Sequence, residues 1–518
     1  MRIAPVPAWL GAVLPAVMVG WLAGCMPSSQ FIPPDQQKPL DRRFVEFPAE
    51  TEVRVIIDGL TNPAAIAFDN EGSLLVADGL DSDIRIFGYR RDGSRFDIYP
   101  KGTSLPFGRK PVNAPVGGMV AAHGRIFVTH RDAEGKGVVS AFDYDGTQST
   151  IVADLPAQGD HSVTDIAVGP DGRLYFGVGS ATNSAVVGLD NLPWLRRNPD
   201  TRDFPWSESG QVVLLGRRFD TVNPFSGLFG GTDISVTAPF QPFGKSTETR
   251  IPVPANGKPN AAIYSVDPTG GAVRVEASGI RNPAGLAFNE YGRLYISNQG
   301  MKLRGTRPVK DDPDVLLKMV HGQWYGWPDF SANLLPIREP RFQPPVELII
   351  KTGYPDLSFL IDHGLSRLTP PTARQANLLS AEFPPLSGAS KFDFVPQSGP
   401  LARLREGRNL AIVALSGDRA PFDTSGERLN GPVGYCLVQV NVDTGQVEPF
   451  VRNVRPGPMS RISRRAEGIE RPVDVKFGPD GALYILDRGE MTMRGAQEVV
   501  SRGSGRVLRL AALPPREE

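Results

Sequence analysis

A histidine, two arginines and three asparagines occupy one place in a recurring pattern, just before short apolar runs: Asn62, Asn113, His161, Arg281 with Asn282, and Arg471. If the runs converge, these residues form a polar, cationic mouth. A neutral imidazole there can take a proton from a hydroxyl, and a neighbouring guanidinium can hold the negative charge that develops. Asn62 and Asn113 lie beside Pro63 and Pro115 and read as turn residues. His161 follows Asp160 and is one of five histidines; its convergence with Arg281 makes it the candidate base. Other chemistries find no motif. There is no Gly-x-Ser-x-Gly, His-Glu-x-x-His, Cys-x-x-Cys or phosphate-binding glycine loop. The run Asp311-Asp312-Pro313-Asp314 has the oxygen chemistry of a hard-cation site but reads first as an exposed charged loop.

The elements that must position these residues repeat. Asn62-Pro63-Ala64-Ala65-Ile66-Ala67-Phe68 leads to Gly72 and Leu74-Leu75-Val76. Asn282-Pro283-Ala284-Gly285-Leu286-Ala287-Phe288 leads to Gly292 and Leu294-Tyr295-Ile296, and Arg471-Pro472-Val473-Asp474-Val475-Lys476-Phe477 leads to Gly481 and Leu483-Tyr484-Ile485. Pro115 before Gly124 and Val163 before Gly172 keep the register, and a weaker sixth copy ends in Leu410-Ala411-Ile412-Val413. Each unit is a hairpin, with a second hairpin following, as in Ala262–Val266 and Val273–Val275. Four strands repeated six times predict an all-β, six-bladed β-propeller, whose innermost strands bring the residues before them to one mouth. Uneven spacing predicts insertions at about 180–260 and 302–380, as loops on one face or small subdomains.

The chain has 518 residues, 40% apolar and 22% charged, so neither a disordered nor a multispanning protein is expected. Lys plus Arg (56) equals Asp plus Glu (56), which argues against nucleic acid as a partner. Gly (56) and Pro (49) are abundant, as many turns between short strands require. Arg2, the apolar stretch Trp9–Leu22 and Leu22-Ala23-Gly24-Cys25 resemble a bacterial lipoprotein signal. The expected organisation is a signal over 1–24, a flexible tether over 25–50 rich in Pro, Gln and Ser, and the propeller over 51–518. Cys25 would be acylated, placing an exported protein on a membrane of the periplasm or cell envelope. Cys436, in Tyr435-Cys436-Leu437-Val438, reads as a buried thiol.

Asp160-His161 running on to Gly169-Pro170-Asp171-Gly172 and Val178–Asn183, Gly279-Ile280-Arg281-Asn282-Pro283 through Asn298-Gln299-Gly300-Met301, and Tyr325-Gly326-Trp327-Pro328 together resemble the soluble pyrroloquinoline-quinone (PQQ) sugar dehydrogenases of the glucose/sorbosone type, over about 60 to 510. The resemblance implies PQQ and Ca2+ as cofactors, a sugar or related alcohol as substrate, and an external electron acceptor. His161 would be the general base and Arg281 would stabilise charge on the reduced quinone. Asn282, Gln299 and Arg471 would contact the cofactor, and the carbonyls of Gly300 and Met301 would face the calcium. Phe383 stands for a tryptophan that covers the quinone, and Arg419 for a lysine after the fifth blade. The metal motif reads Asp314-Val315-Leu316-Leu317 without its glutamate, and Met301 replaces a proline. Two other readings stay open: a cofactor-free propeller binding a glycan or protein, and a calcium-dependent lactone hydrolase with Asp165 and Asp474 as inward carboxylates.

Overall fold

The computed structural model describes residues 29–514 apart from 102–110, 227–232, 247–249, 351–356, 372–374, 425–430 and 464–466. Cys25 and the segment before it lie outside the described residues. Six four-stranded antiparallel blades form a ring. Their inner strands are Ala65–Phe68, Asn113–Ala122, Val163–Val168, Pro283–Phe288, Ala389–Phe394 and Pro472–Phe477. The expected all-β propeller is therefore observed. The sixth blade takes three strands from the C-terminal end and its outermost from Thr51–Leu60, which pairs with Gly505–Ala512 through Val53↔Leu510 and Val55↔Leu508. Both chain ends thus close the circle in one sheet.

Inner strands crowd around the axis, and that is why they are built from small residues. A Cβ on Gly117 would lie 2.2 Å from the Val163 carbonyl of the next blade, and one on Gly285 would lie 2.6 Å from the Ser390 carbonyl. Aspartates staple blade to blade: Asp165 accepts the Leu286 N–H (2.9 Å), Asp393 the Phe477 N–H (2.8 Å) and Asp474 the Ile66 N–H (3.0 Å). Lys476 lies within the field of all three carboxylates, and against the cost of burial they hold its ammonium above its ordinary range. The two inward carboxylates that a lactone hydrolase would need for calcium are therefore already engaged, with a lysine supplying the counter-charge.

The stretch 25–50, expected as a flexible tether, is laid onto the propeller over its described part. Gln30–Phe31 pairs with Asp58 and Ile57, and Val45–Glu46 pairs with Asn453 and Arg452. Leu40, Val45 and Phe47 enter the core between the fifth and sixth blades. Apolar residues spread among the prolines cover two otherwise open sheet edges, which outweighs the cost of ordering the segment. Cys436 starts the third strand of blade five and is half-buried; burial pushes its thiol up to about 11.

The two insertions leave the propeller at opposite ends yet meet. Residues 179–261 depart after Leu174–Val178, at the end where inner strands begin. Residues 319–378 depart from the other end of blade four, after Asp314–Lys318. Gln323–Trp324 then climbs blade three as a parallel fifth strand (Ala277↔Gln323), and Tyr325 and Trp327 donate backbone bonds to Ser278 and Gly279. Above the blade both insertions share a core containing Val212, Leu214, Phe240, Trp327, Phe330 and Leu360. They form one small subdomain on the His161 side.

Candidate functional site

His161 precedes the inner strand of blade three, its N–H bonded to the Ser180 carbonyl (3.1 Å). Gly179 is required beside it, since a Cβ there would lie 2.4 Å from the His161 Cβ and 3.1 Å from Asn282 Oδ1. His161 Nε2 is buried and has no hydrogen-bond partner among the described residues. Burial, then Arg281, Arg304, Arg419 and Lys302, hold the imidazole far below its ordinary pKa, so it is neutral at pH 7. This is the state a general base needs.

The partners expected for a cofactor are turned inward. Arg281 is fully buried: Nε donates to the Asn183 carbonyl (2.9 Å), Nη2 to Asn183 Oδ1 (3.1 Å) and Nη1 to the Gly300 carbonyl (3.0 Å). Burial, with Arg304 nearby, brings its pKa down to about 10. Gln299 Nε2 donates to the Ala389 carbonyl (2.9 Å). Arg471 spends Nη1 on the carbonyls of Ser416 (2.8 Å) and Gly417 (3.0 Å), and Nη2 on the Asp418 carbonyl (3.2 Å) and the Tyr435 hydroxyl (3.3 Å). It faces a neighbouring cavity with Glu470 and Arg506 rather than the mouth. Phe383 lies on the outermost strand of blade four, opposite Asp314, packed with Tyr295, Leu316 and Phe392 between blades. An outer strand cannot present a ring over the axis. His161, Arg281 and Asn282 do come together, as the register implied; Arg471 and Phe383 do not join them.

The acidic run is neither an exposed loop nor a metal centre. Asp311 is exposed, but Asp312 accepts the N–H groups of Met301 (2.6 Å) and Ala332 (2.8 Å), and burial pushes it up to about 7. Asp314 accepts from the backbone of Gly300, Gly388 and Ala389 and lies 3.3 Å from the Lys302 ammonium. No group of three or more metal-ligating side chains of His, Cys, Asp or Glu occurs among the described residues.

What fills the mouth was not foreseen. Arg304 is buried among three carboxylates, Asp160 (2.6 Å), Asp190 (2.5 Å) and Asp423 (3.2 Å), and stacks on Phe422 at 4.6 Å. Arg419 Nε lies 3.0 Å from Glu498 Oε1, an ion pair whose angle makes no hydrogen bond, and Arg488 lies 2.6 Å from the other oxygen. Burial raises Glu498, but Arg488 and Arg419 overcome it and keep the group ionised. Above them opens a cavity of about 530 Å³ whose lining includes Trp194 and Phe422. Among the described residues, the lining carries as many cations (Arg131, Arg304, Lys391, Arg419, Arg488) as acids (Asp78, Asp81, Asp160, Asp190, Glu498). Arg304 and Arg419 line the cavity and also act electrostatically on His161, which does not line it. The one available sequence signal was the pair of cations, Lys302 and Arg304, directly after Gly300-Met301.

These residues do not fit a tricarboxylate quinone with calcium. Of the assigned holders, Arg281, Arg471 and Gln299 give donors to oxygens of the protein itself, Phe383 is elsewhere, and the Gly300 carbonyl already receives a guanidinium. The remaining cations are matched by acids, which would repel a trianion.

No protein-family model matches the chain, and no curated protein matches it significantly. Among solved structures it is similar to the holo form of the pyranose dehydrogenase PQQ domain from Coprinopsis cinerea (14% identity, 90% of this chain and 97% of that one, TM-score 0.50). It is also similar to a putative oxidoreductase (glucose dehydrogenase) from Thermus thermophilus (20% identity, 89% and 99%, TM-score 0.45), and to a gluconolactonase from Xanthomonas campestris (12% identity, 92% and 97%, TM-score 0.40). At these identities the likeness concerns the fold alone.

Proposed function

We propose that this chain is an exported propeller whose mouth binds a neutral, polyhydroxylated ligand of carbohydrate type without a quinone or a metal ion. The carrying observation is a cavity of about 530 Å³, lined by Trp194 and Phe422, whose described lining residues carry balanced charge. Each ring is braced by a guanidinium stacked 4.6 Å away, Arg131 on Trp194 and Arg304 on Phe422. Apolar C–H faces of a sugar pack on such rings, while hydroxyls exchange bonds with donors and acceptors of both signs. One buried polar atom of the lining, Asp190 Oδ1, has no hydrogen-bond partner among the described residues and supplies an acceptor. Anchoring through Cys25 would hold this mouth at the cell envelope.

A second reading, an oxidoreductase acting on a sugar hydroxyl and passing electrons to an external acceptor, is favoured by one observation: the neutral, unpartnered His161 within reach of four cations. Calorimetric titration with a panel of mono- and oligosaccharides tests the first reading, saturable binding being the expected result. Absorbance after adding PQQ and calcium, followed by dye reduction, separates the two. Saturable quinone binding with sugar-dependent turnover would replace the first reading by the second.

A further inference from the structure

Very little chain separates the expected acylation site from the folded body. Ser29 is already docked: its carbonyl accepts from the Tyr89 hydroxyl (3.1 Å) and its Oγ from Arg95 Nη1 (2.9 Å). Gln30–Phe31 then pairs with Asp58 and Ile57 on the outermost strand of blade six, and the Phe31 ring lies 5.8 Å from that of Tyr89 in blade one. Cys25 is thus joined to the propeller by four residue steps, at most about 14 Å of extended chain. A flexible tether over the whole of 25–50 would average roughly 25–30 Å and let the body turn freely. The headgroup layer beside the hydrocarbon of a bilayer is itself about 5–8 Å deep, so about half of the short link is used before it meets protein.

The docking point also selects a side of the ring. Ser29 and Phe31 sit in the groove between the outer strands of blades six and one. With six blades, that groove lies across the axis from the junction of blades three and four, where the inserted subdomain stands. We propose that the propeller stands on edge against a lipid bilayer, touching it with the rim of blades six and one. The mouth then opens along the membrane surface, neither into it nor away from it, and the inserted subdomain is farthest out. This orientation rests on acylation of Cys25 and is independent of what the mouth binds.

Fluorescence transfer from single labelled cysteines to acceptor-labelled headgroups tests this, with the acylated chain in phosphatidylethanolamine–phosphatidylglycerol vesicles and Cys436→Ser as background. Arg91→Cys marks an exposed turn of blade one at the end away from the mouth, and Tyr291→Cys the same end of blade four. Val222→Cys marks the exposed face of the inserted subdomain on the mouth side. Transfer from position 91 should be several-fold stronger than from either 222 or 291. Strong transfer from 222 would mean a propeller lying mouth-down, and equal transfer from 91 and 291 one lying on its opposite end; either result overturns the proposal. A long Gly-Ser insert between residues 28 and 29 should level the three signals, and signals that keep their order would show that the short link does not set the orientation. Cys25→Ser should leave no protein on the vesicles. If the wild type stays unbound as well, the anchoring reading itself fails, an outcome distinct from an anchored chain with the wrong pattern of transfer.

Discussion

Asp474 Oδ2 accepts the backbone N–H of Ile66 at 3.0 Å, joining residues 408 positions apart across the seam between the last blade and the first. The same carboxylate carries the nearest opposite charge to half-buried Lys476, 3.8 Å away. Asp474→Ala leaves the Ile66 donor unpaired and removes the nearest of the three carboxylates around the ammonium. It should cost about 3–5 kcal/mol in urea unfolding, whereas alanine at exposed Asp145 should change stability little.

Arg304→Ala should be strongly destabilising for the opposite reason, leaving Asp160, Asp190 and Asp423 buried without their cation. In the variant those carboxylates would be raised in the folded state, which would then bind more protons than the unfolded chain. The deficit relative to wild type should therefore be greatest near pH 8 and shrink as pH falls toward 5. Equal deficits at both pH values would contradict the charge network.

Burial pushes both Asp312 and Asp203 up to about 7. A carboxyl raised on folding stabilises most while protonated, so its contribution fades as pH climbs from about 4, its unfolded value, to about 7. Wild-type unfolding midpoints should decline across this window. Asp312→Asn removes one titration, so its penalty should be larger at pH 5 than at pH 8.

Trp194→Ala should weaken sugar binding tenfold or more, worth about 1.4 kcal/mol or above, with little change in stability. Phe383→Ala should do the reverse, losing about 3–5 kcal/mol of stability while binding stays within about twofold. His161→Gln should leave sugar binding unaltered. If turnover is found, the same change should reduce it by roughly 100- to 10,000-fold.

Cys25→Ser should move the protein from the membrane fraction to the soluble one or leave it unprocessed. An unmodified N-terminus downstream of Cys25 in the wild type, found by mass spectrometry, would refute acylation while leaving export intact.

The blade count was legible in the sequence because an inner hairpin imposes local constraints: small or apolar residues around the axis, and a glycine at a tight turn such as Gly292 or Gly481, where φ is positive. The weak copy is blade five, where residues 395–409 separate the inner strand Ala389–Phe394 from Leu410–Leu415 in place of the tight turn of the other copies. The meeting of His161 with Arg281 and Asn282 could also be read, since it follows from register alone. What those side chains do was decided in three dimensions. Arg281 bonds to Asn183, 98 positions away, Arg304 to Asp160 and Asp423, 144 and 119 away, and the segment at 29–50 found two open strand edges to cover. A motif specifies where a residue stands on its strand. Whether its charge points to a ligand or is spent inside the protein depends on which distant oxygens the packed loops bring within 3 Å, and short-range periodicity carries no record of them.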